Sequence, residues 1–356
     1  MSLRDDAGQL LVLGLDGTEL MSLEASWLRL LQPGGIILFQ RNIADAVQTR
    51  VLLDAAEAQC ETPPFRCVDL EGGSVNRLRT AVGEITSAET VAATGSPDLA
   101  ERHGELIGEA ASAFGFDTVF APVLDLALPA SRAVMGTRTA AETGDGVVKY
   151  ARPFLNGLQR AAVRGCGKHF PGLGGGRLDS HLHLPRIQRD WSALWAEDLL
   201  PYRELKAELP MVMVAHAAYS RVGGENGPAS QSHFWIKTVL RRRIGYRGLV
   251  ISDDLEMQAV LRLGIEFVAV GAIRAGSDLY MVCHDPGLIT LAFEAVLGEA
   301  EKSPAFRRAV RESAARLRKA KAAAPRKPSS GKRSGVPSLE KLRASFEKLA
   351  KECSKA

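Results

Sequence analysis

Gly248-Leu249-Val250-Ile251-Ser252-Asp253-Asp254 is a short apolar, β-branched run that ends abruptly in three polar residues. It is too short for an ordinary helix and rich in residues that suit a pleated surface, so it reads as a buried strand with a polar C-terminal end. Seven further runs share this character: residues 10–15, 35–39, 65–68, 118–124, 165–169, 211–216 and 278–283. Segments with helical apolar spacing lie between most of them, at 44–59, 97–114, 143–163, 191–206, 233–243, 255–275 (interrupted at Gly264) and 286–300. Strand alternating with helix implies a parallel sheet, and eight such units predict an α/β fold of the (β/α)8 TIM-barrel type.

Each run ends in, or just before, a polar residue: Asp16, Gln40, Asp69, Asp125, Lys168, His216, Asp253 and His284. In a barrel these ends converge on one mouth, where barrel enzymes carry their chemistry. Strands often end in polar residues for reasons of solvation alone, so the set points to a site without naming a reaction.

The chain has 356 residues, 46% hydrophobic and 24% charged, the balance of a soluble globular protein. It holds no apolar run of membrane-spanning length, and Met1-Ser2-Leu3-Arg4-Asp5-Asp6 lacks the order of a secretory signal. Five scattered cysteines, an odd number, argue against a disulfide framework and lead us to expect a reducing, cytoplasmic setting. No Cys/His spacing resembles a zinc site, and no metal or other cofactor is expected. The net charge of +4 hides an asymmetry, because residues 316–356 carry 13 Lys/Arg against 3 Glu and the rest is mildly acidic. We therefore expect a catalytic barrel over 1–319 and a basic C-terminal extension over 320–356. In the extension, 323–332 is a flexible linker, and Leu342, Phe346 and Leu349 mark a short amphipathic helix that could cap the barrel, bind a partner or lie loosely on an acidic surface, on a tail read as largely solvated. The partner of this tail is not specified, and the lack of interleaved aromatic residues argues against nucleic acid.

The residues that carry chemistry form three groups. Asp253 ends a strand and would aim a carboxylate into the mouth, whereas Asp254 would open the next helix, where a carboxylate suits the N-terminal dipole. Lys168-His169-Phe170-Pro171-Gly172, followed by Asp179-Ser180-His181, sets a cation, two imidazoles and a carboxylate around a glycine-rich turn. Lys168 and His169 are donors for hydroxyl or carbonyl oxygens. Asp179 can fix the tautomer of His181 and make it a proton-transfer group, while His183 reads as packing or surface. Asp69-Leu70-Glu71-Gly72-Gly73 with Arg77 can grip adjacent hydroxyls of a polyol, or Asp69 and Arg77 can simply pair with each other. Arg138 is a further cation near a strand end.

Taken in order, these segments resemble the single-domain family 3 glycoside hydrolases of the β-N-acetylglucosaminidase, peptidoglycan-recycling type. The resemblance rests on Gly34 to Phe39, Val68 to Gly73 with Arg77, Phe120 to Asp125, Lys168 to Gly172, Asp179-Ser180-His181 with Pro185, Met213 to His216 and Ser252 to Met257. It implies retaining hydrolysis of terminal β-linked N-acetylglucosamine, with Asp253 as nucleophile and a His181–Asp179 acid/base pair. It also implies sugar binding by Asp69, Arg77, Arg138, Lys168 and His169, and a carbohydrate or muropeptide substrate. The chain departs from the family pattern at Leu173, which stands for a His, at Gly175-Gly176, which stand for Asp-Thr, and at Thr139-Ala140-Ala141, which stand for Ser-Phe-Gly. Lost polar anchors and added glycines predict a more mobile loop. Two alternatives remain open at this point: a phosphorylase of the same glycosides, since a histidine acid/base does not repel phosphate, and a catalytically weak or silent sugar-binding barrel.

Overall fold

The computed structural model describes residues 2–176, 184–222, 226–323 and 338–356. Asp179, Ser180, His181 and His183 lie outside the described residues. Eight strands close a barrel: β1 (Leu11–Gly14), β2 (Gly35–Leu38), β3 (Phe65–Val68), β4 (Thr118–Val119), β5 (Arg164–Phe170), β6 (Met211–Val214), β7 (Leu249–Asp254) and β8 (Leu279–Val282). Each strand pairs in parallel with its neighbours in sequence, and β8 pairs with β1, which is the predicted (β/α)8 arrangement.

Alternation along the strands separates two apolar populations. Val12, Ile37, Cys67, Met213, Ile251 and Met281 fill the barrel interior. Leu13, Ile36, Val68, Val212, Val250 and Val282 face the surrounding helices. Strand β4 is shorter than the 118–124 run because Pro122 has no N–H for the ladder; pairing resumes only as an isolated bridge between Val123 and Lys168. The 191–206 segment folds as three pieces, Trp191–Ala193, a wide π-type turn Leu194–Asp198, and Leu200–Glu204, with Pro201 opening the last. The interruption expected at Gly264 is present, with φ at +92° between the helices Gln258–Leu261 and Ile265–Ala275.

The C-terminal part corrects the expectation of a solvated tail. Helix Pro304–Ala322 runs through the anticipated boundary at 319 and places Leu317 in the interior cluster. Three of its basic residues bond to the rest of the fold: Arg316 with Asp278 at 2.7 Å, and Arg318 and Lys321 with Asp6 and Gln9 of the N-terminal helix, each at 2.8 Å. The last helix, Leu339–Cys353, is packed as well, with Leu342, Phe346 and Leu349 fully buried. Each such burial contributes ~1.5–3 kcal/mol to docking the helix on the barrel. No helix among the described residues is long and apolar enough to cross a membrane. The five cysteines are free thiols.

Candidate active site

The chain leaves β3 at Asp69 and makes a small antiparallel hairpin, Leu70–Gly72 with Val75–Asn76. Gly72 and Gly73 turn it with φ of +90° and +55°, and a β-carbon on Gly72 would sit 2.4 Å from the Thr86 carbonyl oxygen, so the turn requires glycine. The hairpin delivers two carboxylates to two cations. Lys168 Nζ, at the end of β5, lies 2.7 Å from Asp69 Oδ1 and 2.6 Å from Glu71 Oε1. Arg138 donates to both Glu71 oxygens, at 2.8 and 2.9 Å. Lys168 and Glu71 are nearly inaccessible, and buried charges persist only when paired as completely as these. Burial opposes ionisation of Glu71, but Arg138 and Lys168 outweigh it and hold its carboxyl far below the usual range. Burial likewise disfavours the Lys168 cation, yet Asp69 and Glu71 raise its pKa. The result is a neutral, water-poor platform whose four charges are fixed before any ligand arrives.

Asp125, at the mouth end of the run after β4, is fully buried and holds the next loop. Its Oδ2 accepts from His169 Nδ1 at 2.7 Å and its Oδ1 from the Leu173 N–H at 2.6 Å. A carboxylate can only accept, so the His169 proton sits on Nδ1 and Nε2 is left for a ligand. Tyr219 donates to the Gly172 carbonyl at 2.8 Å. Beneath Gly172 lies Asp198, from the π-type turn, with Oδ2 paired to Arg189 at 2.7 Å and Oδ1 buried without a hydrogen-bond partner. Burial, aided by the Asp125 charge and opposed by Arg189, pushes the Asp198 carboxyl up to about 7.

Asp253 is the penultimate residue of β7, and its Oδ1 accepts the Asp254 N–H at 2.9 Å. Burial works against its ionisation, but the charges of His169 and His216, the Asp254 N–H and the Lys168 cation together hold its carboxyl below the ordinary aspartate range. Because β5, β6 and β7 pair side by side in parallel, their C-terminal ends face one mouth. His216 is engaged on both ring nitrogens, by Ser230 Oγ at 2.7 Å and by the Asp254 carbonyl at 3.0 Å, so it braces the Asp253 segment. Asp254 does not open a helix: the next one starts at Gln258, and Asp254 Oδ1 instead accepts the Glu256 N–H at 3.1 Å. Burial, with Glu256 and Asp253 nearby, pushes its carboxyl up to about 8. Asp254, Glu256 and His284 place ligand-type atoms within 4.8 Å of one another. Glu256 is, however, already committed to the N–H groups of Cys283, His284 and Asp285, and Arg41 sits 2.8 Å from His284 Nδ1. This cluster stitches the loops after β7 and β8 together.

Asp69, Arg138 and Lys168 are brought together through Glu71, His169 follows Lys168 on β5, and Asp253 stands near the end of β7, whereas Asp179 and His181 are outside the described residues. Asp69 pairs with Lys168, not with Arg77. The Arg77 guanidinium lies 5.7 Å from the Phe39 ring centre, and its Nε is buried with no hydrogen-bond partner. Glu71 and Asp198 carried no expected site role, and Asp125 and His216 were expected only among the polar strand ends. Glu71 had a signal, since in an extended segment it shares a face with Asp69 two residues earlier. Asp198 had none, lying 30 residues beyond Lys168 in an ordinary helical pattern.

A closed parallel barrel whose strand ends gather Asp253 and a pre-paired polar platform is the architecture of a barrel enzyme with its chemistry at the mouth. Comparison with known proteins agrees, as residues 2–320 match the glycosyl hydrolase family 3 N-terminal domain. The β-hexosaminidase of Alkalilimnicola ehrlichii is 40% identical over 284 residues, 78% of this chain and 81% of that protein. The family 3 β-N-acetylglucosaminidase of Paenibacillus sp. FPU-7 superposes with a TM-score of 0.91 at 29% identity, covering 99% of this chain and 69% of that one. The NagZ of Neisseria gonorrhoeae superposes with a TM-score of 0.72 at 30% identity, covering 86% and 97%. The chain belongs to glycoside hydrolase family 3, in the branch of its β-N-acetylhexosaminidases.

Proposed function

We propose that this enzyme removes terminal β-linked N-acetylglucosamine from peptidoglycan fragments in the cytoplasm, with retention of configuration. The observation that carries the reading is the placement of Asp253 near the end of β7, at a barrel mouth where Asp69, Glu71, Arg138 and Lys168 are already paired with one another. Asp253 attacks the anomeric carbon and forms a glycosyl-enzyme ester, while His181, oriented by Asp179, gives its proton to the departing oxygen. His181 then takes a proton from water, the water oxygen attacks the anomeric carbon, and the Asp253 ester bond breaks. Asp69, Arg77, Arg138, Lys168 and His169 hold the sugar. The unpartnered Arg77 Nε and the open His169 Nε2 support that role. Residues 1–319 act as the catalytic unit, and the end of helix Pro304–Ala322, the basic linker and the last helix act as its appendage.

Turnover of a chromogenic N-acetylglucosaminide by Asp253→Ala and His181→Ala tests the assignment. Asp253→Ala is expected to lose roughly a thousandfold or more in kcat, and His181→Ala about 10²–10⁴-fold. Full turnover in either variant overturns it. Free N-acetylglucosamine, rather than the sugar 1-phosphate, is the expected product in phosphate buffer.

A further inference from the structure

Arg77 is held differently from the rest of the polar platform. Its guanidinium Nε is buried and unpartnered, so its position depends on the backbone that carries it. That backbone is a small excursion from the barrel: the hairpin strand Val75–Asn76, the buried Leu78, and a single turn of helix, Arg79–Val82. It is stitched internally by Asn76, whose side chain donates to the Gly83 carbonyl at 2.9 Å and accepts the Leu78 N–H at 3.0 Å. A four-residue helix does not hold itself in place, because it has barely begun to propagate its own hydrogen bonds.

The outside support comes from the far end of the chain. Helix Leu339–Cys353 lies against both Arg79–Val82 and the long helix Pro97–Ala113. Arg343 Nε donates to the Ala81 carbonyl at 2.7 Å, four residues beyond Arg77, and Leu342 and Phe346 are fully buried on either side of it. Glu352 approaches Arg102 at 4.0 Å at the other end of the contact. Pro97–Ala113 also lies against the hairpin strand Leu70–Gly72. The last helix thus bridges the two supports of the loop that presents Arg77.

We propose that helix Leu339–Cys353 is a positioning element for Arg77, acting through the Arg343–Ala81 hydrogen bond and the Leu342–Phe346 face, so that the C-terminal segment sets the affinity for the sugar. This rests on the reading of Arg77 as a sugar-binding residue. Lifting the helix frees the Arg77 backbone without touching Asp253, so the effect falls on binding and not on the chemical step.

The test uses the full chain with Arg343→Ala, Arg343→Lys and Phe346→Asp. Arg343→Ala is expected to raise KM for a chromogenic N-acetylglucosaminide about five- to tenfold, with kcat within about twofold of the parent. Arg343→Lys, which keeps a donor in reach of the Ala81 carbonyl, should recover most of the loss. In an Arg77→Ala background, Arg343→Ala should add nothing further, a coupling that general loosening of the fold does not produce. The proposal is overturned by an unchanged KM in Phe346→Asp while proteolysis shows the helix released. It is equally overturned by a loss confined to kcat, or by an Arg343 effect that persists at full size without Arg77. If the parent chain neither binds nor turns over the sugar, the functional reading fails instead. The brace is then judged by amide exchange at residues 78–83, which should quicken in Arg343→Ala and leave the positioning claim false if it does not.

Discussion

The platform of Asp69, Glu71, Arg138 and Lys168 and the loop that follows His169 occupy the same barrel mouth, yet they are held by opposite means. The platform is a closed set of charge pairs, each member bonded to another before substrate arrives. Residues 172–176 are held by their backbone: Leu173 N–H on Asp125, the Gly172 carbonyl under Tyr219, and Gly176 N–H on the Leu173 carbonyl. A β-carbon on Gly175 would come within 3.1 Å of the Arg189 side chain, so the bare glycine leaves space for the Arg189–Asp198 pair beneath the loop. The first arrangement suits the sugar-holding role proposed for it, which asks its members to stay still. The second suits a segment that leads to the proposed proton-transfer pair and that would have to release a product.

The comparison can be broken first at the platform. Glu71→Gln removes the carboxylate shared by Arg138 and Lys168 and leaves buried cations short of a partner. It is expected to cost about 3–5 kcal/mol of stability and to raise KM, measured by denaturant unfolding and steady-state kinetics. An unchanged unfolding midpoint would mean that the platform is not held by these pairs.

The loop side predicts a smaller effect that depends on pH. The Asp198 carboxyl is raised from 3.8 to about 7, chiefly by burial. Its protonated form is the one the folded state favours. Its contribution to stability is therefore complete below pH 3.8 and is lost as pH rises through about 7. Relative to Asp198→Asn, which has no such titration, the parent should lose on the order of 1–3 kcal/mol between about pH 4 and 8. Parallel stability curves for the two proteins across that range would contradict this account of the loop.

Much of this contrast was legible in the amino-acid sequence, and the remainder has physical reasons for being hidden. The strands announced themselves because apolar β-branched runs ending at polar residues are what a barrel wall requires, and Asp69, Lys168, His169 and Asp253 followed from their positions at strand ends. The Asp69–Lys168 pair spans 99 positions, and no local pattern distinguishes it from pairing with Arg77 nearby. Asp198 became visible only when the π-type turn brought it under Gly172. The spacing of Leu342, Phe346 and Leu349 marked an apolar face, but a face does not say what covers it, and here it is the barrel's own helices. Gly175 and Gly176 read as lost anchors in the sequence, whereas in the fold Gly175 makes room for Arg189.

The central claim is that Asp253 becomes covalently bonded to the sugar. Incubation with a slow fluorinated N-acetylglucosaminide, followed by digestion and peptide mass analysis, tests it directly. The account predicts one sugar on the peptide that contains Asp253, and none on the same peptide from Asp253→Ala. A sugar on a different residue, or an unlabelled Asp253 peptide while the reagent is being turned over, would contradict it.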